Sequence, residues 1–157
     1  SLGQLAFLVA LIAALVIWGL SLRQFIRQSV PAPLRPLLAI HLAPASLLGT
    51  VVALMGQGGL ALAFGILAIA ILAVLLARWR WVTEAGFGPF WGAFTFPAAA
   101  FTALMMILAP ATHFWGFRLL AAAGLIAATV MIPWITAKVV QMWIKGSLAV
   151  KSNAAEV

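Results

Sequence analysis

The sequence predicts an all-α polytopic membrane protein with five transmembrane helices, and three observations predict it. Only 7% of the 157 residues are charged and 66% are hydrophobic, against roughly 25% charged in a soluble domain. Such a chain cannot cover itself with polar groups, so its solvent is lipid. The apolar residues also fall into five runs, each close to the ~20 residues that a helix needs to cross the hydrocarbon core. Finally, the basic residues behind the formal charge of +7 do not form a patch. They punctuate the apolar runs, as membrane proteins place them, which argues against nucleic acid as a partner.

The runs are Leu2–Leu22, Pro36–Met55, Leu60–Trp79, Pro89–Ala109 and Phe117–Ile144. Residues 1–146 therefore form the membrane region, and 147–157 a short, small and polar tail. The first run is no signal peptide, because no positive charge precedes it and Arg23 and Arg27 follow it. It is plainly aliphatic, with Trp18 as an interface anchor at one end. A basic connection with Pro31 and Pro33 leads to the second run. That run opens at Pro36, an accepted first-turn position, and carries Pro44, His41 and a small, weakly polar stripe of Ala39, Ala43, Ser46, Thr50 and Ala53. The Gly56–Gly59 connection is short enough only for a hairpin, so runs two and three are antiparallel neighbours. Run three is bland and ends in the interface cluster Arg78-Trp79-Arg80-Trp81. Run five carries Pro133 and Trp134, then Lys138 and Lys145, whose stems can snorkel.

Run four is the most informative. Pro97 interrupts it, and Phe96 is the one bulky residue on a stripe with Gly92, Ala93, Ala99, Ala100 and Ala103. Such a face either packs tightly against a neighbour or lines a path that the ring narrows. Pro97 lacks the amide that would bond the Ala93 carbonyl, and Pro44 lacks the one for Ile40. An unpaired carbonyl is costly in hydrocarbon, so each break faces protein or water. Runs two and four, with proline, small residues and hydroxyls, are expected to be inner helices. Runs one, three and five are expected to be outer ones.

Charge gives orientation. Arg23, Arg27 and Arg35, Arg78 and Arg80, and Lys138, Lys145 and Lys151 fall on one side, while Arg118 is the exception. The positive-inside rule makes that side, and the carboxy terminus, cytoplasmic. The amino terminus is then outside, and the chain starts at Ser1. We read it as the carboxy-terminal part of a longer membrane protein, a reading that a start codon directly before Ser1 would overturn.

The chemistry available is sparse. Glu84 and Glu156 are the two acids, and both lie outside the runs, so no intramembrane carboxylate can relay protons or bind sodium. There is no cysteine, no paired acids, no phosphate-binding glycine loop and no His pair at metal or haem spacing. Enzyme activity, a cofactor and a metal are not expected. Thr95, Ser46, Thr50 and Thr102 either offer hydroxyls to a permeating ion or bond back to their own helix. His41 either titrates or meets an anion, or bonds a backbone carbonyl near the interface. A cationic chain without buried acids suits neutral or anionic solutes.

Two segments carry a resemblance. Leu34-Arg35-Pro36-Leu37-Leu38-Ala39-Ile40-His41-Leu42-Ala43-Pro44-Ala45 and Phe90-Trp91-Gly92-Ala93-Phe94-Thr95-Phe96-Pro97 resemble the Arg-Pro…Leu-Ala-Pro and Trp-Trp…Phe-Thr-Phe-Pro segments of the tellurite-resistance and dicarboxylate transporter family. That family includes the bacterial protein TehA, malic-acid permeases and plant slow-type anion channels. The resemblance implies the second half of a ten-helix bundle of hairpins around a central pore. It implies homotrimers, a missing amino-terminal half of the same protein, and a bacterial inner-membrane location. It also implies a pore-plugging Phe at Phe96, with Pro97, Pro44, Thr95, Ala93, Ala100, Ser46, Thr50 and His41 lining or kinking the pore. The sequence departs from the family at Gly92, where the second Trp would stand, and at Ala45, where a second Pro would stand. The expected function is passage of small anions: chloride- or nitrate-like ions, dicarboxylates or tellurite-related oxyanions. A proton-coupled dicarboxylate carrier or efflux protein and a non-transporting membrane subunit are the alternatives.

Overall fold

The computed structural model describes the backbone of residues 2–27 and 30–151, and the side chains of these except 22–27. It is 88% helix, with no strand among the described residues. Five stretches are long and apolar enough to cross a membrane: Leu2–Ser21, Ala32–Leu54, Gly58–Ala77, Pro89–Thr112 and Trp115–Ile144. They make the chain an integral membrane protein. The α-helices are α1 (Leu2–Arg27), α2 (Leu42–Leu54), α3 (Gly58–Ala77), α4 (Trp79–Val82), α5 (Thr95–Thr112), α6 (Trp115–Ile144) and α7 (Leu148–Lys151). Two 3-10 segments, Ala32–His41 and Pro89–Phe94, lead directly into α2 and α5.

The inner and outer assignment made from composition agrees with the packing. About half of span four and 44% of span two are buried, against 6%, 22% and 17% for spans one, three and five. The core is built on α2 and α5, where Leu48, Val52, Phe101, Leu104, Met105 and Leu108 meet Ala61, Phe64 and Ala68 of α3. Close helix approach needs small residues. A β-carbon added at Gly49 would lie 2.8 Å from a Leu104 methyl and 3.0 Å from the Phe64 β-carbon, and one at Gly124 would lie 2.5 Å from the Thr102 hydroxyl.

The α2–α3 hairpin forms as expected. Gly56 takes φ of +78°, the left-handed conformation that side chains resist. Its amide bonds Ala53 at 3.0 Å and that of Gln57 bonds Val52 at 2.9 Å, so the last carbonyls of α2 are satisfied in a Schellman closure.

Three expectations are corrected. The second span does not open at Pro36, which lies inside the first 3-10 segment. Arg27 is not in a loop, because α1 continues to it. Nor do Pro44 and Pro97 kink a continuous α-helix. Each is the third residue of an α-helix that follows a 3-10 segment. At both boundaries an amide bonds three residues back, Leu42 to Ala39 and Thr95 to Gly92. A carbonyl in that register takes its partner three residues on rather than four. The Ile40 carbonyl is an acceptor at its boundary and therefore does not depend on the amide that Pro44 lacks. Of the polar tail, residues 148–151 form one helical turn; Glu156 lies outside the described residues.

Candidate pore-facing surface

The surface begins with periodicity. On α5, Phe96, Ala99, Ala103, Met106 and Pro110 are exposed, continuing the exposed Gly92. Within α5, steps of three, four, three and four keep Phe96 to Pro110 on one helix face. On span two, Ile40, Leu47, Val51 and Leu54 are exposed in the same manner. Buried helices with one uncovered face thus sit side by side.

The two stripes share a side of the bundle. A separate apolar groove of about 640 Å³ runs between α3 and α6, with Leu42 of α2 and Pro97, Ala98, Phe101 and Thr102 of α5 as its floor. At 100° per residue, Leu47, Val51 and Leu54 lie on the far side of α2 from Leu42. Phe96, Ala99 and Ala103 lie on the far side of α5 from the groove floor by the same count. Both stripes therefore face away from the outer groove. Phe96 is 58% exposed and stands between small residues one turn either way, Gly92 and Ala99–Ala103.

The remaining candidates divide. Pro97 and Ala100 are buried, so Ala100 belongs to the packing rather than to the stripe with Phe96. Ala93 is half-buried. Ser46 is fully buried, and its hydroxyl donates to the Leu42 carbonyl at 2.8 Å. Of the small stripe of span two, Ala39, Ala43 and Ser46 are turned inward, and Thr50 and Ala53 are half-buried. Thr50 donates to Ser46 at 3.0 Å, Thr95 to Gly92 at 2.7 Å and Thr102 to Ala98 at 2.8 Å. Each hydroxyl proton is spent on a backbone carbonyl of its own span, the back-bonding alternative of the sequence reading. His41 is half-buried and lines a different crevice, with residues of α1 and α3. The stripes are thus apolar, and their chemistry is that of a surface that repels water rather than one that coordinates an ion.

Sequence reasoning missed what fixes the end of α5. The first 3-10 segment carries Arg35, whose Nε donates to the Val30 carbonyl at 2.9 Å and whose Nη1 donates to the Trp81 carbonyl at 3.2 Å. The same guanidinium pairs with the Glu84 carboxylate and lies 4.4 Å from the centre of the Trp81 ring. Around the second 3-10 segment, Trp91 stacks edge-on with Phe94 at 5.6 Å and with Trp134 at 5.9 Å, and Phe94 meets Trp79 at 5.2 Å. The Trp91 indole donates to the Gly86 carbonyl at 2.9 Å. This brace ends two residues before Phe96. Tryptophan density near positions 79–91 was a signal, but it reads equally as a membrane-interface belt.

Among the described residues no group of His, Cys, Asp and Glu could hold a metal ion. Comparison with protein-family models, with curated proteins and with solved structures finds no match to the chain.

Proposed function

We propose that the chain is the carboxy-terminal half of a membrane channel or transporter for small anions, with the α2 and α5 stripes facing the path and Phe96 closing it. The observation that carries this reading is the placement of Phe96. It is a large ring, more than half exposed, on the uncovered side of the most buried span, flanked by glycine and alanine. A lipid-facing helix has no need to be both buried on most sides and smooth on the last. A ring on a smooth apolar wall excludes water from a narrow passage, and a dewetted constriction is a gate.

Two inner spans cannot enclose a path alone. The reading therefore includes an amino-terminal half that completes a ten-helix bundle, a trimeric assembly, a bacterial inner membrane and a cytoplasmic carboxy terminus, in line with the motif resemblance and the positive-inside rule. Because the stripes present no free hydroxyl proton, attraction for anions would come from the basic rim. Selectivity among small anions would then be weak.

The test is anion current through the reconstituted full-length protein with Phe96 intact and with Phe96→Ala. A large rise on removing the ring supports occlusion at that position. A folded, oligomeric protein that carries no current in either form overturns the reading. A flux that follows a proton gradient and is lost in His41→Ala would move it to a coupled carrier.

A further inference from the structure

A second feature lies at the basic end of the bundle, apart from the stripes. A crevice of about 750 Å³ opens between α1, the first 3-10 segment and α3, within the ~300–1,000 Å³ range of small-molecule sites. Ile71 and Val74 of α3 form its apolar wall, and Trp18 and Ser21 of α1, His41 and Arg78 bring polar groups to it from three elements. Val74 is 62% exposed, so the crevice is continuous with the surface that faces lipid.

Two of its polar groups lack partners. The Trp18 indole N–H is buried with no acceptor among the described residues, a state that proteins avoid. The Arg78 guanidinium has no ion pair or hydrogen bond there either. The one described carboxylate, Glu84, is held by Arg35. An apolar slot open to the bilayer, with a cation and an unpaired indole N–H at its polar end, is complementary to one ligand chemistry. We propose that it seats an anionic phospholipid, with an acyl chain along Ile71 and Val74 and the phosphate accepting from Arg78 and, once binding uncovers its N–H, from Trp18. Arginine and phosphate make charge-assisted, often bidentate bonds, and basic pockets between membrane helices hold anionic headgroups. The site does not depend on the proposed anion path.

The test is thermal unfolding of the purified full chain in an uncharged detergent. Dioleoyl phosphatidylglycerol, dioleoyl phosphatidylcholine and inorganic phosphate are added in separate arms. Phosphatidylglycerol is expected to raise Tm by several degrees more than phosphatidylcholine, and inorganic phosphate to have no effect. Arg78→Gln is expected to weaken the apparent phosphatidylglycerol affinity about tenfold, the ratio carried by one charge-assisted bond. Trp18→Phe keeps the ring and loses the N–H, and is expected to weaken it several-fold. Arg80→Gln, at the same end but outside the crevice, is expected to leave it unchanged. An equal rise with inorganic phosphate would overturn the proposal in favour of a small-anion site. No difference between the two lipids, or equal losses in Arg78→Gln and Arg80→Gln, would overturn it outright. Should Arg78→Gln not fold, retention of phosphatidylglycerol by wild type and Trp18→Phe in native mass spectrometry decides the matter, with equal retention counting against the site.

Discussion

Pro44 and Pro97 occupy the same place in their spans: each is the third residue of an α-helix that follows a 3-10 segment. The inner spans are therefore built alike, and the two prolines mark where the helix changes pitch. A first-turn amide has no partner within its own helix, so proline there removes no bond that the helix needs.

This position predicts the sign of a mutation. In a helix interior, replacing proline by alanine would stabilise by about 3 kcal/mol. At a first-turn position with compatible φ, the unfolded chain gains freedom instead, at about 0.4–1 kcal/mol, and buried Pro97 also loses packing. Pro44→Ala and Pro97→Ala are expected to lower Tm slightly in detergent. A rise of several degrees would restore the kinked-helix description.

Phe96 and Phe101 lie on one helix but differ in burial, at 58% and 3% exposed. Phe101→Ala is expected to cost about 3–5 kcal/mol, the usual range for a large core residue. Phe96→Ala is expected to cost less than about 1 kcal/mol, as for an exposed site. Unfolding of each variant in a denaturing detergent titration checks the contrast. Equal losses would mean that the Phe96 ring is a packing residue, not an uncovered one.

The five spans were legible because hydropathy over twenty residues is a coarse signal that tertiary contacts do not alter. The inner position of spans two and four was legible too, since small residues and proline have little use against lipid. The azimuth of individual residues was less so. A 3-10 segment turns in 3.0 residues and an α-helix in 3.6, so a single wheel drawn through Gly92–Ala103 loses phase at Thr95. Ala93 was grouped with Phe96 for that reason, whereas Ala100 lies in α5 with Phe96 but on the opposite flank from Ala99, Ala103 and Met106, against the core; of the small residues grouped with Phe96, Gly92, Ala99 and Ala103 share its exposure. The Arg35–Glu84 pair joins residues 49 apart, and no local pattern announces such a contact.

Gly49 is expected to reject a methyl group. Its added β-carbon would meet two Leu104 methyls, at 2.8 and 3.0 Å, and the Phe64 β-carbon at 3.0 Å. A leucine methyl can rotate away, but a β-carbon moves only with its backbone. Gly49→Ala should therefore push α3 from α2 and cost about 1–3 kcal/mol, as overpacked cores do. Gly19 has open space around it, so Gly19→Ala is expected to be neutral or to stabilise by up to about 1 kcal/mol. The pair of melting curves is the measurement, and a Gly49→Ala variant as stable as Gly19→Ala would refute the tight α2–α3 contact.

Arg35 and Glu84 form an ion pair, yet the two ends should not be equally important. Glu84 is 61% exposed and Arg35 only 13%. An ion pair with one partner in solvent is worth about 0–1 kcal/mol and weakens with salt, so Glu84→Gln is expected to stay within that range. Arg35 also donates to the carbonyls of Val30 and Trp81 and lies over the Trp81 ring. Lysine carries the charge but not the planar fork that reaches these groups together. Arg35→Lys is therefore expected to cost about 1–3 kcal/mol, the price of leaving such acceptors unpaired. It should also loosen the junction between the first 3-10 segment and α2. Tm for both variants at low and high salt separates the two contributions: the Glu84→Gln deficit should vanish in salt, and the Arg35→Lys deficit should persist. Equal and equally salt-sensitive losses would reduce Arg35 to a surface charge.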